Sequence, residues 1–113
     1  MLAVSFRNIR PRDEVRKRAE ALYEKLERFL DPAADGRLVV EVDHNSAVVE
    51  LVVTSQGDVL TAKDEDPDLR TALDRLFHTM EGQLRRRKGR RDQRRHKVPP
   101  PSDGFVYDQD GEE

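Results

Sequence analysis

The 113-residue chain has no cysteine and no tryptophan, and its aromatic residues stop at four Phe and two Tyr. Without cysteine there is no disulfide to staple a small fold and no thiolate to hold zinc, so one hydrophobic core must supply the stability. No apolar run approaches the ~20 residues that a bilayer crossing needs. The N-terminal "MLAVSFRNIRPRDE" turns charged too early to serve as the apolar segment of a secretory signal. A cytosolic protein without membrane contact is therefore expected. The three histidines, His44, His78 and His96, share no metal-ligand spacing, so neither a metal nor another cofactor is expected. Glycine-rich phosphate loops and nucleophile motifs are missing as well, and the carboxylates are scattered along solvated faces. With no catalytic residue to name, the chain reads as a non-enzyme.

What is abundant is charge: 39% of the residues are Asp, Glu, Lys or Arg, and the formal net charge is only −2. That near-balance conceals three unequal parts. Residues 1–83 carry 12 basic and 17 acidic side chains, and residues 98–113 carry five acidic and no basic ones. Between them, "LRRRKGRRDQRRHK" at 84–97 carries nine basic residues and one acidic, a local charge of +8. Because screening at physiological salt acts over ~8 to 10 Å, a partner meets the local charge and not the total.

The hydrophobic pattern assigns the elements. Leu2, Val4 and Phe6 alternate with Ala3, Ser5 and Arg7, the two-residue period of a half-buried strand. Val15, Ala19, Leu22, Leu26, Phe29 and Leu30 then recur at three and four, giving a helix over about 11–30 that opens on Pro11 and ends at "DPAADG", where Gly36 can take positive φ. "RLVVEVD" and "AVVELVV" are β-branched strands joined by "HNS", with Asn45 suited to the left-handed position of a tight turn. "SQGD" is a second turn, leading to a fourth strand in "VLTAKD". Asp66 as N-cap and Pro67 as first helical residue start a second helix, whose apolar stripe of Leu69, Ala72, Leu73, Leu76, Phe77, Met80 and Leu84 stops before the basic run. Nothing breaks that helix until "VPPP", so it is expected to reach about residue 95.

The order β-α-β-β-β-α implies an α+β fold: a two-layer sandwich with a four-stranded sheet and two helices on one face, like a double-stranded-RNA-binding domain. Residues 1–97 form this domain with its basic helical extension at 85–97, and 98–113 are expected to be a disordered acidic tail.

A cluster of Arg and Lys gains free energy by displacing the counterions condensed on a nucleic-acid backbone, and Arg adds a planar fork for phosphate oxygens. Arg85, Arg86, Arg87, Lys88, Arg90, Arg91, Arg94, Arg95 and Lys97 are thus the candidate RNA-binding residues. Lys17 and Arg28 on the first helix are secondary candidates, since Glu20, Glu24 and Glu27 are interleaved there and alternating signs also describe an ordinary solvated helix. The competing reading is a regulatory adaptor whose basic helix holds an acidic protein. Phe105 and Tyr107, set among the acids of the tail, could dock in a basic groove lined with protein, fold back on the basic segment, or belong to a solubilising disordered tail.

Two stretches carry a resemblance. "EVRKRAEALYEKLERFL" looks like the first helix of bacterial ribosome-hibernation factors, with Lys25, Leu26, Glu27, Arg28 and Phe29 matching its end. "DLRTALDRLFHTMEGQLRRRKGR" is similar to the second helix, matching at Asp68, Leu69, Ala72, Leu73, Asp74, Leu76, Met80, Gln83 and Leu84. The chain thus resembles the hibernation-promoting factor and ribosome-associated inhibitor (protein Y) family in its short form, with "SDGFVYDQDGEE" like that form's acidic tail. Arg70 and Thr79 depart from the pattern, where Tyr and a basic residue are usual, and the first strand-to-helix junction is about one residue shorter. The resemblance implies a factor that is monomeric when free and binds the small ribosomal subunit, through 16S rRNA and neighbouring ribosomal proteins, in free subunits or 70S ribosomes. There it would exclude mRNA and tRNA under stress, a form of translation regulation.

Overall fold

The computed structural model describes the backbone of residues 1–95 and the side-chain surroundings through Gly89. Its elements run β1 (Leu2–Arg7), α1 (Asp13–Leu26), a 3-10 turn (Glu27–Phe29), β2 (Asp35–Asp43), β3 (Ser46–Ser55), β4 (Asp58–Asp66) and α2 (Leu69–Arg95). The α+β sandwich read from the sequence is the fold observed. The sheet order is β1-β2-β3-β4. β1 pairs parallel with β2, because α1 carries the chain back across one face between them, whereas the tight turns make β2, β3 and β4 antiparallel.

Alternation along the strands sends Leu38 and Val40 of β2, Val49, Leu51 and Val53 of β3, and Ala62 of β4 into the core. They meet Val15, Ala19, Tyr23 and Leu26 of α1, and Ala72, Leu73, Leu76, Phe77, Met80 and Leu84 of α2. Both helices thus cover the same face. Arg18 joins them through a two-pronged ion pair with Asp74, at 3.0 and 3.1 Å. α2 also covers the edge strand: Arg75 forks onto Asp64 and reaches Asp66 and the Glu65 carbonyl, and Gln83 donates to the Thr61 carbonyl at 3.0 Å. Carbonyls that would otherwise offer a template to another strand are thereby occupied.

Several boundaries differ from the sequence reading. α1 starts at Asp13, with Arg12 still extended at φ −128° and ψ 120°, so Pro11 lies outside the helix. The expected continuation to residue 30 tightens instead into the 3-10 turn, which turns Phe29 and Leu30 onto the core. α2 is capped by Asp68, not Asp66: the Asp68 carboxylate accepts from the Thr71 N–H and hydroxyl, while Asp66 accepts from the Asp68 N–H. Two acids thus share the entry, and Pro67 lies between them.

The turns differ too. In the β2–β3 turn the left-handed residue is His44 (φ 57°), not Asn45, whereas in the β3–β4 turn both Gln56 (φ 54°) and Gly57 (φ 83°) are left-handed. Two successive left-handed residues give the twist that a two-residue hairpin loop needs. Gly36 is not among the left-handed residues. Its role is steric: a Cβ there would lie 2.6 Å from Cε1 of Tyr23, whose ring crosses β2 at that point.

Candidate functional site

The end of the sandwich where the basic run begins is built around Ser55, the last residue of β3, only 1% exposed. Its hydroxyl donates to Asp31 Oδ1 at 3.1 Å and accepts from the Asp31 N–H at 3.5 Å, tying in the segment after the 3-10 turn. Its carbonyl accepts from Arg87 Nη1 at 3.0 Å. Arg87 also donates to Gln56 Oε1 at 3.1 Å and lies 3.5 Å from Asp58 Oδ2. This arginine is 8% exposed and three residues beyond Leu84, so it extends the buried stripe of α2 by one position. A long aliphatic stem with a bonded head lets Arg finish a core that the polar turn closes.

The candidate residues therefore divide. Arg87 is committed to the β3–β4 turn. Arg85, Arg86 and Lys88 are exposed, and Arg85 pairs with Glu81 at 2.6 Å. Arg90, Arg91, Arg94 and Arg95 lie on α2, which continues for the eight residues 88–95 beyond Arg87, about 12 Å at 1.5 Å per residue. Since Arg87 sits on the turn that ends the sheet, those residues run past it. Lys97 and the tail at 98–113 lie outside the described residues.

Arg28, in the 3-10 turn, falls at this same end, 3.6 Å from Glu81 and stacked on Phe29 with 4.8 Å to the ring centroid. Lys17 is exposed but stands eleven residues earlier, about 16 Å away along α1, and does not join the group. The sequence reading missed Glu81 as the link between the two helices. The four-residue step to Arg85 signalled half of that link, and the approach of Arg28 had no local signal.

At the opposite end, a cleft of about 730 Å³ opens between the starts of α1 and α2 and the β2–β3 turn. Several of its charges are already engaged: Arg12 with Glu14, Arg18 with Asp74 of α2, and Asp68 with the α2 entry. Among the described residues, no group of three or more potential ligands is placed to hold a metal ion, and no helix is long and apolar enough to cross a membrane.

Fold and site define a small two-layer α+β domain whose second helix extends beyond the sheet as a basic rod. The chain matches the family described as sigma 54 modulation protein / S30EA ribosomal protein over residues 2–92, and it belongs to that family of ribosome-associated factors, the hibernation-promoting factor and protein Y family. Among solved structures it is similar to the Thermus thermophilus protein Y N-terminal domain, with 28% identity and a TM-score of 0.69, covering 74% of this chain and 92% of that one. It also shares its fold with a ribosomal subunit interface protein from Coxiella burnetii, with 20% identity and a TM-score of 0.63, covering 78% and 97%. A search of curated protein sequences finds no significant match.

Proposed function

We propose that this chain is a hibernation factor that binds the small ribosomal subunit on 16S rRNA, in the channel used by mRNA and tRNA, and excludes both while the ribosome is idle under stress. The observation that carries this reading is the helix running past the sheet with Arg85, Arg86 and Lys88 exposed, in a chain that belongs to a ribosome-associated family. A positive rod some 12 Å beyond the domain can enter a groove with phosphates on several sides, where a flat basic face would meet only one side. The mechanism is competition: a monomer filling the space of tRNA and mRNA needs no bond-breaking step, and binding energy alone sets the inhibition. The site of action is the cytoplasm.

The test is cosedimentation of the full chain with purified 30S subunits and 70S ribosomes at low salt. Stoichiometric binding that tRNA and mRNA displace supports the proposal. Absence of binding, or binding that saturating tRNA leaves unchanged, refutes it. If the association survives ribonuclease and follows a ribosome-free acidic protein instead, the basic helix serves as a protein adaptor.

A further inference from the structure

Two arginines converge where the 3-10 turn meets α2. Oε2 of Glu81 accepts from Arg85 Nη2 at 2.6 Å, and the same oxygen lies 3.6 Å from Arg28 Nη2, which arrives from the end of the first helical segment. Arg28 is steadied from its other side by the Phe29 ring. Two cations share one carboxylate oxygen, a local excess of one positive charge.

The exposures show that this cluster is not a stability device. Arg28 and Arg85 side chains are 65% and 60% exposed, while Glu81 is 29% exposed. Ion pairs with partners this exposed contribute little to folding. They do restrict two long side chains that would otherwise lose rotamer freedom on meeting a ligand. Each guanidinium has five N–H donors and spends few of them on Glu81, so most remain for an incoming anion whose oxygens suit the planar fork.

We propose that Glu81 is the positioning residue of a phosphate-binding notch formed by Arg28 and Arg85, which takes one backbone phosphate of RNA. The inference rests on the RNA-binding reading above and adds to it an acid as a required part of the RNA surface. Because Glu81 carries the same sign as the ligand, two accounts of it predict opposite outcomes. As a bystander it repels phosphate, and neutralising it tightens binding. As a positioning residue it orders two arginines, and neutralising it weakens binding.

The experiment compares the full-length wild type with Glu81→Gln, Arg28→Ala, and the double variant Arg28→Ala/Glu81→Gln, by titration against purified 30S subunits at fixed salt, with melting curves as the control for folding. The notch predicts that E81Q binds about 3- to 10-fold more weakly with its melting temperature nearly unchanged, and that the same substitution weakens binding less once Arg28 is gone. Equal or tighter binding by E81Q, or an equal effect in both backgrounds, overturns the notch while leaving the ribosomal reading intact. Failure of the wild type to bind 30S subunits overturns both.

Discussion

Replacing Arg87 by Met separates the structural from the electrostatic role of the basic run. The substitution keeps an unbranched apolar stem in the slot against β3 but removes the head that satisfies the Ser55 carbonyl at 3.0 Å, Gln56 Oε1 at 3.1 Å and, more loosely, Asp58 at 3.5 Å. A buried charge-assisted hydrogen bond contributes about 1.5 to 3 kcal/mol, and the part-buried bond to Gln56 about 0.5 to 1.5. The Asp58 contact, with that side chain 48% exposed, adds at most a few tenths. Allowing for the packing that Met retains, the loss should be about 2 to 3 kcal/mol, or roughly 10 °C in melting temperature for a domain of this size. The binding readout distinguishes it from its neighbours. Arg86→Ala should lower the slope of log K against log salt by about 0.7 to 0.9, one phosphate contact, whereas Arg87→Met, assayed well below its melting point, should leave the slope unchanged. A melting temperature within 2 °C of wild type would show that the turn does not depend on Arg87, and a slope reduced by a full contact would show that Arg87 is an RNA ligand.

Gly36→Ala forces a Cβ to 2.6 Å from the Tyr23 ring, and overpacking of this kind should outweigh the gain from a stiffer unfolded chain by about 1 to 2 kcal/mol, read by denaturant titration. Burial, with Glu27 and Asp35 nearby, raises the Tyr23 phenol above its ordinary value, so the folded state favours the neutral ring and stability should fall as pH rises past about 10; a Tyr23→Phe variant should lose that alkaline slope. At the acid end, hydrogen bonding to Arg75 lowers the Asp64 carboxyl, so its contribution is present above the ordinary value of 3.8 and disappears as pH drops below it; Asp64→Asn should flatten the acid limb of a melting-temperature profile. Asp68→Ala removes the acceptor for Thr71 at the entry of α2 and should lower the melting temperature more than Asp66→Ala, the cap expected from the sequence.

Much of the architecture was legible because its signals are local. The period-two alternation of Leu2, Val4 and Phe6 and the three-and-four spacing from Leu69 to Leu84 each record one buried face. The misplacements fall where two local rules compete. Asp66 and Asp68 both suit a helix entry, and only the hydrogen bonds to Thr71 decide between them. His44 adopts the left-handed position that Asn45 would fill more easily, because the pairing of Asp43 with Ser46 sets the geometry of that turn. Tyr23 was missed as a core residue: it sits one place beside the expected stripe, and its ring fits only because Gly36, thirteen positions later, has no side chain. The candidate site shows the same division. That Arg85 to Arg95 share one continuing helix follows from composition and periodicity, whereas the burial of Arg87 and the convergence of Arg28 on Glu81 are long-range contacts without a trace in the spacing.

The central claim is that the basic extension of α2 enters the mRNA and tRNA channel of the small subunit. Chemical footprinting of 16S rRNA in 30S subunits, with and without the full chain, tests it most directly. The account predicts protections that overlap those given by tRNA and mRNA, and that disappear when Arg86, Arg90 and Arg91 are reversed to Glu in a protein that still melts cooperatively. Protections confined to the solvent side of the subunit, or a channel footprint that the reversed protein retains, would contradict it.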